Sequence, residues 1–509
     1  MGTKRKTAER QAEQTAQISH LALRGGTYTS ASTIVTLVLG LVRSILLARF
    51  LLPKVFGLAA LAIFFTDLIF RLLTLDFDSA VIHHPQPNDR TLAGFMLLRV
   101  GFGSLAAVVA WLVAAPLGNA YQQIPSFTRL MTVLVGINLA AILSQVMEVL
   151  LRRAMAFKQL ALINVCASLV MTIVAPWLAW RGAGVWALAA ELGSGVAMRL
   201  ILVWGVLRPW NPTFATDRAT LRWYWRFSLP LWWNNTTTFL SERTNDYWVG
   251  ARLGSSSLGA YVKSAEYGHY LRRVLAVPVM TVAQPLFARL QNDRLRLSQA
   301  FIRVTAGLLR LGGLYGVVAF SAAPWLIPLV LGEHWLVIVQ PFRIFLLLAL
   351  LDPLLAAGEG LLLAVGRTRV LAGIRILQLV VFFGATVLLV SVCGMLGAVV
   401  AVNIMSMLGA IGMLVAVRRS VDYSLNRLLG WPAAAVAAAL LAGCWPELLS
   451  LTGGARLAAQ PLWLGIVTTI SAGLVYTAVL FTGEGRALSS AWHQLRTLWK
   501  GGSSAESTL

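Results

Sequence analysis

Fourteen long apolar stretches follow one another along the chain, separated by short polar gaps. They run over residues 27–50, 55–75, 91–116, 127–151, 159–180, 183–207, 224–250, 258–287, 301–327, 337–365, 370–392, 395–417, 428–449 and 461–481. A helix of roughly 20 apolar residues crosses a hydrocarbon core of about 30 Å. The pattern therefore predicts an all-α polytopic membrane protein with about fourteen transmembrane helices. The longest gap lies around residues 210–222, too short to fold by itself, so a single membrane domain with short tails is expected and no soluble catalytic domain.

The basic residues fall almost wholly in every second gap. One set of gaps carries Lys4, Arg5, Lys6, Arg10 and Arg24, then Arg90, then Arg152, Arg153 and Lys158, then Arg208, Arg218, Arg222 and Arg226. It continues with Arg289, Arg294, Arg296 and Arg303, then Arg367 and Arg369, then Arg418, Arg419 and Arg427, and ends with Arg486, Arg496 and Lys500. The alternate gaps hold little beyond Lys54, Arg129, Arg181, Arg252 and Arg456. Basic residues of short loops are retained on the cytoplasmic side, so both chain ends are expected in the cytoplasm. The first 24 residues are polar and charged and lack the order of a cleaved leader, which leaves the first membrane helix as the targeting signal.

Composition narrows the class further. The chain is 58% hydrophobic and 12% charged, against about 25% charged in soluble domains, which excludes a soluble globule. A net charge of +22 would suggest nucleic acid in a soluble chain. Here the positives lie in the loops, where they set topology and meet anionic lipid headgroups, so membrane lipids are the expected partners and nucleic acid is not. Cys166, Cys393 and Cys444 lie in or beside apolar segments without a CxxC or a suitably spaced histidine, so neither disulfides nor a metal site is expected. The absence of a P-loop argues against ATP as the direct drive, and no cofactor pattern is read.

A faint internal repeat divides the first twelve helices into two sixes. Ala48-Arg49-Phe50 before Phe56-Gly57 reappears as Ala251-Arg252-Leu253 before Leu258-Gly259. Glu148 is followed by Arg152 and Lys158 as Glu359 is by Arg367 and Arg369, and Gly182-Ala183-Gly184-Val185-Trp186 opens the sixth helix as Gly394-Met395-Leu396-Gly397 opens the twelfth. The expected organisation is a tail (1–26), an N-lobe (27–210), a C-lobe (211–420), two further helices (421–483) and a tail (484–509). Two pseudo-symmetric six-helix lobes of equal orientation would enclose a central cavity.

Charged residues within spans cost roughly 2.5–3.5 kcal/mol each on insertion scales, so they persist where they pair, face water or act. Several share a helical face: Thr29, Ser32, Thr36 and Arg43 in the first span, and Asp67, Arg71, Thr74 and Asp78 in the second. The seventh presents Asn235, Thr238, Glu242 and Asp246, and the eighth Lys263, Glu266, Tyr270 and Arg273. Arg43, Arg71, Lys263 and Arg273 are the candidate substrate-binding cations, and Arg43 stands out because its own helix offers it no carboxylate. Asp67, Glu242, Asp246 and Glu266 are candidates for proton or ion coupling. Glu148 and Glu359, near cytoplasmic ends, are candidate gates or ordinary solvated carboxylates. Asp67 with Arg71 and Lys263 with Glu266 also have the spacing of purely structural ion pairs. Arg243, Lys263 or Arg273 would in that case neutralise Glu242 and Asp246. Arg272 is expected to face headgroups or another helix, and His269 to be structural or wet rather than a ligand. The tryptophans suit an interfacial belt, and Trp232 and Trp233 also suit stacking on sugar rings.

With those residues in view, the chain from about Ala22 to Arg419 resembles the polysaccharide transporter family of the multidrug, oligosaccharidyl-lipid and polysaccharide flippase superfamily. The similarity rests on Arg43 with the stretch Ala48 to Gly57, on Arg152-Arg153-Ala154-Met155-Ala156-Phe157-Lys158, and on Gly182 to Leu188. It continues in Asp246 through Leu258-Gly259-Ala260-Tyr261, in Pro278 with Pro285 to Leu290, and in Gly332-Glu333-His334-Trp335. Lys263-Ser264-Ala265 departs from it where similar chains carry an Arg-Ala pair. The resemblance implies a non-enzymatic flippase in the bacterial cell membrane, the inner one if there are two, that moves an undecaprenyl-pyrophosphate-linked oligosaccharide repeat unit to the outer leaflet for capsule, exopolysaccharide or O-antigen assembly, beside a polymerase and export machinery. A small-molecule or cation antiporter of the same superfamily is the competing function. A membrane glycan polymerase or ligase is a further one, which would require a large outward catalytic loop.

Overall fold

A computed structural model describes residues 28–84, 88–120, 125–270, 272–453 and 462–505, and among them the chain is entirely helical apart from turns and connections. It divides into two compact units, with the boundary after Val262.

In the first unit, α1 (Tyr28–Phe50) is followed by α2 (Pro53–Leu73), which begins with Pro53 at its first position, where the missing N–H costs nothing. The second expected span differs from the structure. Thr74 is extended and ends α2, and a short α3 (Phe77–His83) follows, capped by Asp76, whose side chain accepts from Ser79 N at 3.4 Å. Asp78 is thus not on the helix of Asp67 and Arg71. Arg153 closes the other end of α3, donating to the carbonyl of Val81, which also accepts from His84 N at 3.3 Å, and to that of His84 (2.7 Å).

The rest of the unit is α4 (Asp89–Ala120), α5 (Pro125–Arg153), α6 (Phe157–Trp180) and α7 (Val185–Leu200), which runs on as a π-helical turn over Ile201–Leu207. After an irregular stretch, Asp217 accepts from Thr220 N at 2.6 Å and starts α8 (Arg218–Gly268). The seventh expected span lies in this helix, and the eighth begins in it after a break at Gly254 (φ 79°, ψ 177°) and continues beyond its end. The repeated glycines meet here. A Cβ on Gly57 would sit 1.7 Å from Ser255 O, and one on Gly259 1.8 Å from Pro53 O. Each glycine lies against the backbone four residues before the other, a reciprocal crossing that only glycine permits.

The second unit contains a π-helical turn (Arg272–Ala276), α9 (Val277–Arg289) and α10 (Arg294–Leu331). A 3₁₀ turn (Glu333–Ile338) leads into α11 (Val339–Phe345) and α12 (Leu348–Ala364). The tenth expected span is therefore not one helix but two arms bent by 46°. Next come α13 (Thr368–Val417), α14 (Trp431–Gly453) and α15 (Leu462–Ala505), the last interrupted at Glu484. α13 breaks at Gly394 with φ 58° and ψ −135°, nearly the backbone of Gly184 before α7 (φ 58°, ψ −126°). Both members of that sequence repeat occupy a conformation closed to other residues.

Among the described residues ten helices are long and apolar enough to cross a membrane, eleven if the bent pair forms one span. Fourteen crossings are not reached by length and apolarity alone, because α13 carries two of the expected spans, residues 243–289 of α8 and α9 count as a single span, and residues 454–461, after α14, lie outside the described residues. Large apolar side chains such as Ile376, Val380, Leu388 and Val392 on α13 are exposed, whereas Ala398, Ala401 and Ala410 on the same helix are buried. A helix in lipid packs through small residues and turns its large ones outward.

Candidate functional site

A cavity of about 610 Å³ in the first unit is lined by α2, α3, α4, α5, α7 and α8. Four arginines (Arg71, Arg99, Arg152 and Arg199) and four carboxylates (Asp67, Asp76, Asp78 and Glu148) face it, so its formal charge is balanced. Asn138, Gln145 and Asn235 add neutral donors and acceptors, and Trp232 and Phe239 add aromatic surface.

Most of these charges are held by partners on other helices. Arg199 grips Glu148 with Nη1 at 3.2 and 3.1 Å from the two carboxylate oxygens and gives Nη2 to Asn164 Oδ1 at 2.9 Å. Arg152 stands 4.0 Å from Glu148. Arg99 donates Nη2 to Gln145 Oε1 at 2.7 Å and to Asp78 Oδ2 at 3.4 Å. Its Nε lies 3.3 Å from Asp78 Oδ1 off hydrogen-bond alignment, so both atoms keep unused capacity within protein contacts. A buried polar atom so placed gains free energy from a polar ligand. Asn235 donates to Asp76 Oδ2 at 2.6 Å, and Trp232 Nε1 to Arg71 O at 3.0 Å. Arg71 differs from the other arginines: its guanidinium lies 5.8 Å from the Phe239 ring centre, and no carboxylate of the described residues comes within ion-pair distance. Asp67 lies in its field and that of Arg243.

Of the candidates named from sequence, the cavity brings together Arg71, Asp67 and Glu148. Glu148 is 4% exposed, so the solvated alternative is corrected: burial between Arg199 and Arg152 holds it. Arg43 is not a cation without a carboxylate, because Glu191 of α7 accepts from its Nε at 2.7 Å, with Thr172 Oγ1 at 3.4 Å from Nη1. The hydroxyls of Ser32 and Thr36 on its face bond to their own helix backbone. Asp246 is buried and paired with Arg243 at 3.1 Å. Glu242 has a side chain outside the described residues.

In the second unit Lys263 and Glu266 form the short-range pair their spacing allowed, at 2.8 Å, and Glu359 meets Arg375 at 2.7 Å. Arg273 is exposed. Its neighbour Arg272, expected to face headgroups or another helix, turns toward Asp352 of α12. Arg99 and Arg199 were missed as site residues, although each is a basic residue in mid-span, the signal that singled out Arg43.

Comparison with known proteins decides the family. The family profile described as "Polysaccharide biosynthesis protein" matches residues 46–340. The chain belongs to this polysaccharide biosynthesis family. It is 25% identical over 295 residues to the succinoglycan biosynthesis transport protein ExoT of Rhizobium meliloti (strain 1021), covering 57% of this chain and 58% of ExoT. It is 22% identical over 383 residues to the lipopolysaccharide biosynthesis protein WzxC of Escherichia coli (strain K12), covering 74% and 76%. The chain thus spans little more than half the length of the first of these relatives. Among solved structures it resembles the lipid II flippase MurJ in an inward closed conformation, with a TM-score of 0.66, 12% identity, and 90% and 99% coverage. It also resembles an inward-facing multidrug resistance MATE transporter of the MOP superfamily, with a TM-score of 0.52, 15% identity, and 77% and 94% coverage. At such identities these likenesses establish a shared fold. The chain is accordingly a multi-pass membrane protein of this family, with the fold that these structures share.

Proposed function

We propose that this protein is a flippase that carries undecaprenyl-pyrophosphate-linked oligosaccharide repeat units from the inner to the outer leaflet by alternating access. The observation that carries the proposal is the cavity of the first unit, a space among apolar helices lined by four arginines, four carboxylates, amides and three aromatic rings. A space of this size and polarity within apolar helices suits a sugar headgroup whose prenyl tail stays in lipid. Planar amides and paired ions offer bidentate hydrogen bonds to hydroxyls, Trp232 offers a stacking face, and Arg71 is the cation free of a close carboxylate for an anionic group.

Fourteen crossings, with α8 and α13 each divided at a glycine, and two six-helix lobes with both termini cytoplasmic complete the proposed architecture. Arg71 and Arg99 head the proposed substrate contacts. Arg43, Lys263 and Arg273 come after them, the first two because each already holds a carboxylate. Asp67 remains a proposed coupling group, with Asp246, Glu266 and Glu242 beside it, and Glu148 and Glu359 are proposed gate residues. The relatives named for succinoglycan transport and lipopolysaccharide biosynthesis support a polymer pathway over drug efflux, as does the higher structural similarity to the lipid II flippase than to the multidrug transporter.

The test is a strain lacking the gene. It is expected to lose a surface polysaccharide and to accumulate lipid-linked repeat units on the cytoplasmic face, both restored by the wild-type gene. Normal polysaccharide without a redundant gene, together with loss of cationic dye efflux, would replace the proposal with the antiporter.

A further inference from the structure

The second unit carries a separate cluster of ionisable groups where its helices are broken. α8 ends at Gly268, a π-helical turn occupies Arg272–Ala276, and the two arms α11 and α12 meet at a 46° bend between Phe345 and Leu348. Asp352, one turn into α12, is buried. Its Oδ2 lies 4.0 Å from His269 Nδ1 and its Oδ1 lies 4.0 Å from Arg272 Nη1. Both separations are too long for a direct hydrogen bond and suit a bridging water. A cavity with room for about one water lies between Arg272 and Asp352, bounded also by Gly268 and Ala349, with His269 just outside its lining.

His269 touches both arms of the bend. Its ring centre is 5.7 Å from that of Phe345, the last residue of α11, and its Nδ1 faces Asp352 of α12. Gly268 is pressed on the same phenylalanine, since a Cβ there would lie 2.6 Å from Phe345 Cβ.

We propose that His269, Asp352 and Arg272 form a proton-binding site, and that the proton it takes changes the bend between α11 and α12. With His269 neutral, Asp352 and Arg272 balance one another and the imidazole rests on Phe345. With His269 protonated, the cluster carries one net positive charge and the imidazolium is drawn to Asp352, away from the aromatic ring. The charge therefore shifts His269 between one arm and the other, and histidine is the side chain whose ordinary titration falls between about pH 5 and 8.

The other polar groups on the elements around the cluster have partners of their own. On α8, Lys263 is paired with Glu266. On α10, Tyr315 gives its hydroxyl to Tyr267 O at 3.3 Å, and Tyr270 beside Arg273 is likewise a phenol, which ordinarily titrates near pH 10. On α11, Arg343 donates Nε to Phe320 O at 3.0 Å and covers the Phe320 ring at 4.4 Å. The site itself is independent of the substrate; that its proton drives lipid export rests on the flippase function proposed above.

The test reads the bend without reading transport. Spin labels at Leu336→Cys and Leu363→Cys, in full-length protein with the three native cysteines replaced by alanine, flank the bend. Double electron–electron resonance in lipid nanodiscs between pH 5 and 8 is expected to show two distances whose ratio changes over about two pH units, as for one proton. His269→Gln and Asp352→Asn should each freeze the ratio, whereas Lys263→Gln should leave the titration in place. A ratio constant with pH in the wild type, or a titration surviving in both variants, overturns the proposal. Circular dichroism and elution volume identify any variant that has lost its fold, and Arg272→Lys, which keeps the balancing charge, is then expected to retain the titration. Failure of this experiment would leave the deletion-strain result untouched, and the reverse also holds.

Discussion

At the scale of single residues, the cavity separates arginines that hold the protein together from one that is available. Arg99 and Asp78 are largely buried against each other, with 13% and 26% side-chain exposure, and removing one member of a buried pair costs about 3–5 kcal/mol through the charge left behind. Arg99→Ala is therefore expected to lower the thermal unfolding midpoint and to reduce export. Arg71 has an aromatic ring rather than a close carboxylate beneath it. Arg71→Ala should keep the wild-type midpoint, within the roughly 0.5 kcal/mol of an uncoupled substitution, while export falls at equal protein level. Melting curves in detergent and export assays of the two variants check the contrast. A large loss of stability in Arg71→Ala would mean that it is as structural as Arg99.

At the scale of elements, helix ends are tied by groups outside the membrane. Arg294, the first residue of α10, holds Asp422 of the turn after α13 with two contacts of 2.8 and 2.6 Å, and Asp422 N bonds Ser298 Oγ at 2.9 Å. The hydrogen bonds from Arg294 hold the Asp422 carboxyl below its ordinary range. A carboxylate lowered on folding contributes stability above its unfolded value, near pH 4, and loses it as pH falls through the folded value. The wild type is thus expected to melt slightly above Asp422→Asn at neutral pH, with the gap closing below about pH 4. The pair is solvent-exposed, so the gap should also shrink at high salt. Calorimetry at two pH values and two ionic strengths measures both.

For the whole molecule, the charge alternation of the gaps predicts both termini in the cytoplasm and cytoplasmic loops after Arg222 and after Arg427. Alkaline-phosphatase fusions at those two points should be inactive, and fusions beyond Lys54 or Arg252 active. An active fusion after Arg222 would invert the topology and with it the side from which the cavity loads. Gly184 in the first unit and Gly394 in the second are sequence-related breaks with nearly the same backbone conformation. These support an internal duplication, because a backbone conformation restricted to glycine persists only where the local fold is the same.

Helix positions were legible in the chain because the membrane acts locally: every backbone group in hydrocarbon must be bonded within its own helix, so about twenty apolar residues suffice to mark a crossing. The glycine breaks at Gly184 and Gly394 were visible as repeats for an equally local reason. The site was legible only in its composition. Asp67, Arg71 and Glu148 were found because charge within a span is costly, and Arg99 and Arg199 bear the same mark. Who neutralises whom could not be read. The periodicity of one helix reports neighbours three or four residues away, and so captured Lys263 with Glu266. Arg43 meets Glu191, 148 residues on, and Arg99 meets Gln145, 46 residues on. Those pairings exist only once separate helices pack, and only that packing decided that the balanced charges of α2 to α8 enclose a cavity and that Asp352 lies beside His269 and Arg272.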